Sequence, residues 1–376
     1  MKIVVIIPTY NEKENISRML VTLEKEVFPQ IKNHEMSILV ADDKSPDGTQ
    51  DEVKKVAKDY KNIELIEGNK EGLGAAYARA MKYAMNKMGG GAVIELDADF
   101  QHDPHDVVRL VAAMDEGYDY VIGSRYVPGG KIPKEWGFYR KFISFYGGSV
   151  FGRAVLWLWG IHDVTSGYKL TRTEYLKKVD LDHLYSKYYA YKIHILHDIV
   201  KMGAKVKEVP IIFYERQKGS SKIEQKDLFD SFYVVLRLRV MDSEKFIKFL
   251  VVGGVGFILN AVILRLGVEY VHWNPSIANL AGAALAIFSN YNFNNLWTFN
   301  ESKITSLRAY FYKMLQFYLT SAFGVIFIQT GTIFLGDKFL GRKNYFIYFL
   351  FGTGLLLIWN FTIYNKIIWR KKSPVA

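Results

Sequence analysis

Over the first third of the chain, short and almost uninterrupted apolar runs alternate with segments of helical periodicity. The runs at 3–7, 37–41, 63–66, 92–96 and 120–123 predict buried strands, and 12–27, 49–60, 73–88 and 106–116 predict helices. Strands that are continuously apolar, joined by helical crossovers, predict a mostly parallel sheet covered on both faces: an α/β, Rossmann-like domain. Ligands of such sheets bind at the carboxyl ends of the strands. The chemically informative residues fall there, at 8–12, 42–43, 97–101 and 123–126.

Beyond Phe246 the pattern changes and charges thin out. The run 249–271 is interrupted only by Asn260, Arg265, Glu269 and glycines, while 274–300, 314–336 and 344–365 carry no charged side chain. Each reaches the roughly 20 residues that a transmembrane helix needs. The polar faces of buried soluble helices are missing, so four spans are expected, with both chain ends on one side. Basic residues at the proposed inner ends are Lys245, Lys248, Lys303, Arg308, Lys313, Lys366, Arg370, Lys371 and Lys372. They outnumber Arg265, Lys338, Arg342 and Lys343 outside by nine to four. This predicts a multi-pass protein of the cell membrane, with a catalytic domain at 1–241 on the cytoplasmic side and a membrane domain at 246–372. Asn260, Arg265, Asn290 and Asn294 within the spans read as helix packing rather than as a transport path. The segment 142–161 is nearly as apolar, with Arg153 its only charge. A fifth span there would put the motifs before and after it on opposite sides of the bilayer. The preferred reading is interfacial helices near 140–160 and 224–241, with Trp157 and Trp159 at headgroup depth.

The net charge of +11 suits an anionic partner. There is no nucleic-acid recognition motif and no basic stripe with interleaved aromatics, whereas Lys and Arg cluster beside apolar segments, so a lipid bilayer is expected and nucleic acid is not. The chain has no cysteine, which excludes disulfides, thiolate catalysis and thiolate metal sites. The first apolar run is too short, and too soon broken by Pro8, to be a signal peptide.

Asp97-Ala98-Asp99 follows the fourth strand. Two acids one residue apart point to opposite faces of the pleat, and a loop there brings both to the mouth of the site. Such oxygen ligands suit a hard cation that keeps contact with substrate phosphates. At 8–12, Tyr10 offers a ring for a base and Glu12 an acceptor, although a helix cap with an acidic first turn explains this segment better when it stands alone. Asp42 is placed to meet a nucleotide, while 45–49 is turn and cap chemistry. The stretch 70–74 reads as a turn with close helix packing rather than as a phosphate loop.

Pro-x-Tyr-Asn-Glu at 8–12, Asp-Asp-x-Ser-x-Asp-Gly-Thr at 42–49 and Asp-Ala-Asp-x-Gln-His-x-Pro at 97–104 together resemble a family-2 glycosyltransferase of the GT-A fold. Within that family the chain most resembles the dolichyl (polyprenyl) phosphate mannose synthases. The segments 123–126, 163–168 and 216–222 are similar to that subgroup's later motifs. The C-terminal region, above all 290–292 and 297–299, is similar to the four-helix GtrA-like membrane domain. The resemblance implies inverting transfer of mannose from GDP-mannose to dolichyl or polyprenyl phosphate. The alternatives are a UDP-glucose-dependent polyprenyl phosphate glucosyltransferase and a lipid-linked sugar transporter with a regulatory soluble part. It implies that Pro8, Tyr10, Glu12, Val40 and Asp42 hold the guanosine, and that Asp97 and the Ala98 backbone meet ribose and diphosphate. Asp99 and Gln101 would ligate Mg²⁺ or Mn²⁺, held mostly through the nucleotide complex, with His102 not expected as a third ligand. Asp99 and Arg125 are the expected catalytic residues. Arg125 is the first choice for the acceptor phosphate because its fork matches phosphate oxygens. Arg140 and Ser144, at i and i+4 on one helical face, are the second. Arg216 and Lys222 are expected on a lid over the diphosphate. Asp163 is expected to shape the acceptor pocket rather than act as a base.

Overall fold

The computed structural model describes residues 1–215, 225–341 and 345–370. The chain divides into two compact units, Met1–Arg239 and the part from Val240 onward. The first unit is built from β1 (Lys2–Thr9), α1 (Lys13–Thr22), β2 (Glu35–Asp42), α2 (Thr49–Ala57), β3 (Ile63–Glu67), α3 (Leu73–Asn86), β4 (Ala92–Glu95), α4 (Asp106–Asp115) and β5 (Tyr120–Ser124). It continues with α5 (Phe138–Phe142), α6 (Phe151–Leu156), β6 (Lys169–Arg172), α7 (Thr173–Leu176), α8 (Tyr191–Lys201), β7 (Val206–Pro210) and α9 (Gln225–Asp242).

One seven-stranded sheet runs in the order β3-β2-β1-β4-β6-β5-β7. β1 pairs parallel with β2 and β4 and β2 with β3, as the crossover pattern predicts, and β5 pairs parallel with β7, a strand the pattern does not predict. β6 lies antiparallel between β4 and β5. It is four residues long, with Lys169 and Arg172 among them, so it carries no apolar run that would announce it.

The continuous apolarity of β1 has a direct cause. Ile3, Val5 and Ile7 belong to a core under α1, α2 and α4, while Val4 and Ile6 belong to a second core under α3 and α8. All five are fully buried, so both faces of the pleat must be apolar. Each such side chain contributes about 1.5–3 kcal/mol relative to exposure.

The segment 138–156 is helical throughout, with a π-helical stretch at Ile143–Val150 between α5 and α6. It does not leave the first unit, because Leu156, Leu158 and Ile161 are buried in the second core. Its outward side carries Phe138, Phe142, Tyr146, Trp157 and Trp159, all exposed.

The second unit comprises α10 (Glu244–Glu269), α11 (Pro275–Phe293), α12 (Leu307–Phe323), α13 (Thr330–Leu340) and α14 (Tyr345–Ile363). Among the described residues, two helical stretches, Glu244–Glu269 and Leu307–Leu340, are long and apolar enough to cross a membrane. α10 and α11 pack closely through small residues: a Cβ on Gly256 would lie 2.3 Å from Asn290 Oδ1, and one on Gly282 would lie 2.3 Å from Asn260 Oδ1. Asn260 and Asn290 therefore serve the packing of α10 on α11. Arg265 pairs with Glu269 one turn on, at 3.0 Å. An aromatic cluster of Phe249, Tyr291, Phe299, Phe317, Tyr364 and Trp369 closes one end, where Trp369 Nε1 donates to Asn295 Oδ1 at 2.9 Å.

Candidate active site

The carboxyl ends of β1 and β2 are tied to one another by side-chain hydrogen bonds. Asp42, at the end of β2, is fully buried. It accepts from Thr9 Oγ1 (2.8 Å), Ser45 N (2.8 Å), Ser45 Oγ (2.6 Å) and Gln50 Nε2 (2.8 Å). Asp47 caps α2 through Thr49 N and also takes Lys13 N, and Thr49 Oγ1 accepts from Glu12 N. The loop after β1 is thus locked to the loop after β2. Asn11, Lys44 and Phe100, on the loops after β1, β2 and β4, all have positive φ (57°, 54° and 58°). Strained non-glycine residues gathered at one end of a sheet are characteristic of a functional site.

The expected nucleotide residues fall into two groups. Tyr10 is half-buried with Lys70 Nζ 3.7 Å from its ring centroid, and Glu12, itself buried, accepts from Asn15 Nδ2. Pro8, Val40 and Asp42 are buried. Val40 is the third residue from the end of β2, and its side chain packs in the core under α1 and α2. Asp42 is committed to its four donors, so it shapes the loop rather than presenting an unused oxygen.

After β4 the chain turns sharply. Asp97 Oδ1 accepts from Tyr77 OH at 3.0 Å. Ala98 packs into the core, which leaves its backbone to face the site. Asp99 Oδ1 accepts from Gln101 N at 3.1 Å, and Gln101 is bracketed by Tyr214, whose N–H donates to its carbonyl at 2.8 Å. Among the described residues no group of three or more His, Cys, Asp and Glu forms a metal cage. His102 turns away into a pocket of rings, with Tyr168 at 5.0 Å and Phe213 at 4.9 Å between centroids. Burial lowers its pKa to about 4, keeping the imidazole neutral.

At the end of β5, Arg125 does not present its fork. Nε and Nη2 donate to the two oxygens of Asp163 at 2.8 and 2.7 Å, Nη2 also reaches Thr165 Oγ1, and the Arg125 N–H adds a third bond to Asp163. Burial alone would depress the guanidinium, but Asp163 outweighs it and holds the pKa up. Burial would raise the Asp163 carboxyl, but Arg125 outweighs that and holds it down. Asp163 is itself fixed from behind, its N–H donating to Glu208 Oε1 of β7 at 2.8 Å. A fully buried, doubly paired carboxylate is no general base. The fork of Arg125 is thus occupied by Asp163. Arg140 remains half-buried over the Trp136 ring, 4.1 Å from its centroid, and Ser144 bonds Tyr126 OH at 2.6 Å. Burial lowers the pKa of the Arg140 guanidinium, and the nearby charge of Arg125 adds to that. The structure therefore brings Arg125, Arg140 and Ser144 to one strand end. Arg216 and Lys222 lie outside the described residues.

Residues 4–180 match the family model "Glycosyl transferase family 2", and 248–369 match "GtrA/DPMS, transmembrane domain". A dolichol-phosphate mannosyltransferase of Pyrococcus furiosus is 34% identical over 362 residues, covering 94% of this chain and 97% of that protein. The chain belongs to the dolichol-phosphate mannosyltransferase family. A polyprenol monophosphomannose synthase of Mycolicibacterium smegmatis is 38% identical over 61% of this chain and 84% of its own length. Among solved structures, a mannosyltransferase of Pyrobaculum calidifontis in complex with GDP-Man and Mn²⁺ aligns over 96% of this chain and 86% of its own, at 16% identity and TM-score 0.39. The chain is accordingly a glycosyltransferase with a membrane domain.

Behind the Asp97 turn of this family member lies a buried network that sequence reasoning missed. Tyr191 OH donates to Glu95 Oε2 at 2.5 Å, and the Tyr191 ring stacks on Tyr77, 5.4 Å between centroids. Glu95 is the register partner of Lys169, and Lys169 Nζ donates to the Lys192 carbonyl at 3.1 Å. Burial pushes Glu95 up and Lys169 down to about 8, each opposed by the other's charge. Glu95 in an otherwise apolar strand was the one visible signal. Tyr77 and Tyr191 hide in ordinary helical periodicity.

Proposed function

We propose that the protein transfers mannose from GDP-mannose to a polyprenyl (dolichyl) phosphate, inverting the anomeric centre and releasing GDP, with Mg²⁺ or Mn²⁺ as cofactor. The observation that carries this reading is the separation of two charged sites on one sheet edge. The carboxylate turn Asp97–Gln101 follows β4, and the cations Arg125 and Arg140 gather after β5, with β6 between the two strands. The names of the relatives support mannose and a polyprenyl acceptor.

Asp99 and Gln101 supply hard oxygens and too few of them for a closed cage, which fits a cation whose remaining ligands are diphosphate oxygens and water. Bound there, the cation would neutralise charge on the departing diphosphate. The Asp97 carboxylate, oriented by Tyr77, and the Ala98 backbone hold the ribose and diphosphate. Tyr10 and Glu12 hold the guanosine. The acceptor is a phosphomonoester, largely ionised at neutral pH, so no protein base is needed. This agrees with the commitment of Asp163 to Arg125. Catalysis then rests on positioning and on charge: Arg140 and Ser144 hold the acceptor phosphate, and Arg125 lends its field from a fixed place. The membrane domain, with four spans and the catalytic unit in the cytoplasm, tethers the enzyme to the bilayer that carries its acceptor.

The test is incubation of the full-length protein with labelled GDP-mannose or UDP-glucose and a C55–C60 polyprenyl phosphate, reading lipid-soluble label with and without chelator. Label from GDP-mannose alone, abolished by chelator and restored by Mg²⁺ or Mn²⁺, is expected. Label from UDP-glucose alone would overturn the sugar assignment, and transfer that persists in chelator would overturn the metal.

A further inference from the structure

Lys192 lies in the first turn of α8 and is only 7% exposed. Two things oppose an ammonium there: burial, and the positive end of the helix. A buried ammonium is normally paired with a carboxylate or fully hydrogen-bonded. Among the described residues Lys192 Nζ has no such partner. Its contacts are the Tyr189 and Tyr191 rings at 5.4 and 6.0 Å, the weak outer range of a cation–π contact. A Cβ at Gly167 would lie 2.4 Å from Lys192 Nζ and 3.6 Å from His102 Cε1. The glycine of the 163–168 motif thus leaves a cradle for the ammonium beside the imidazole. His102, 4% exposed, has its Nδ1 buried without a hydrogen bond. The end of a nearly buried lysine and an imidazole with an unpaired Nδ1 therefore meet at one glycine. Both lie within electrostatic reach of Asp97 or Glu95, behind the turn that follows β4.

We propose that Lys192, with His102 beside it, forms the floor of the subsite for the transferred sugar, the ammonium donating to sugar hydroxyls. The inference deepens the proposed function and rests on it. The ligand chemistry follows from the local charges. Lys192 lies within electrostatic reach of Glu95, and Arg125 is paired with Asp163, so the floor calls for a neutral group rich in both donors and acceptors rather than for a further anion. A hexose is such a group. The acceptor's phosphate has its own cations after β5, beside the exposed aromatic side of 138–156.

The test compares affinities for GDP and GDP-mannose, measured by calorimetry on the full-length protein in detergent with Mg²⁺. In Lys192→Gln, GDP-mannose should bind about tenfold or more weakly, the scale of a hydrogen bond from a charged donor, with GDP affinity unchanged. Unchanged GDP binding also reports an intact fold. Gly167→Ala, which pushes the ammonium out of its cradle, should shift the same ratio in the same direction. An unchanged ratio in both variants, or a parallel loss of GDP and GDP-mannose, would overturn the inference. The donor assignment fails separately, on the wild type alone, if GDP-mannose does not bind. The ratio is then read with UDP and UDP-glucose, and the same two outcomes apply.

Discussion

At the scale of single residues, the pairing of Arg125 with Asp163 is the interaction whose loss should be felt most. The Asp163 side chain is fully buried and that of Arg125 is 9% exposed. Removing one partner of such a pair leaves an uncompensated charge, at a cost of about 3–5 kcal/mol. Asp163→Asn should therefore lower the thermal midpoint in detergent substantially, and the double variant Asp163→Leu/Arg125→Leu should be less destabilised than Asp163→Asn. An Asp163→Asn protein of normal stability that has lost kcat while keeping donor affinity would instead make Asp163 the base. His102 gives a second residue-level prediction. Its pKa is about 4 when folded, against 6.5 for an unperturbed histidine. Between those values the unfolded chain binds a proton that the folded chain does not. The stabilisation is complete above 6.5 and falls away as pH drops to 4, by of order 3 kcal/mol. Without divalent cations, His102→Phe should flatten the fall in melting temperature across that window. An unchanged slope would place the titration elsewhere.

Elements were more legible in the chain than individual roles. β1, β2, β4 and β5 announce themselves because both faces of each are buried, and the acids after β2 and β4 mark the sheet's carboxyl edge. β6 was illegible because it is short and carries Lys169 inward, where only the tertiary partner Glu95 explains a lysine. Val40 and Asp42 show the same limit from the other side. A residue at the end of a strand beside a binding site reads as a ligand until its hydrogen bonds or its core contacts are known. The fork of Arg125 could not have been assigned either, because its partner lies 38 positions away. The 138–156 helix carries its own prediction. Trp157 and Trp159 are 66% and 63% exposed, and rings of this kind anchor at the headgroup level. Trp157→Ser/Trp159→Ser should raise KM several-fold for a long-chain polyprenyl phosphate and leave KM for a short, water-soluble analogue unchanged. Equal effects on both acceptors would mean that the tryptophans serve the fold and not the bilayer.

At the scale of the whole molecule, the two units follow opposite rules of burial. In the first, Ile, Val and Leu fill two cores on either face of a sheet. In the second, Phe257, Phe327, Phe339, Leu340 and Phe351 point outward and are more than 60% exposed, while Asn294 and Asn295 are inside. An apolar exterior, with the few polar side chains turned inward, is what hydrocarbon as solvent requires. The described residues give two helices that meet the length and composition for crossing, and the helical stretches at 275–298 and 345–368 occupy the places of the other two apolar runs. Four spans would put 300–306 on the same side as the catalytic unit and His272, between α10 and α11, on the other. The absence of cysteine makes this a clean measurement, since one introduced thiol is the only thiol. Ser306→Cys should label with an impermeant maleimide only in inside-out vesicles, and His272→Cys only in right-side-out vesicles. Labelling of both from one side would mean that α10 and α11 do not form a pair of spans. The positive-inside count would then have to be reconciled with a membrane domain that dips into the bilayer without crossing it there.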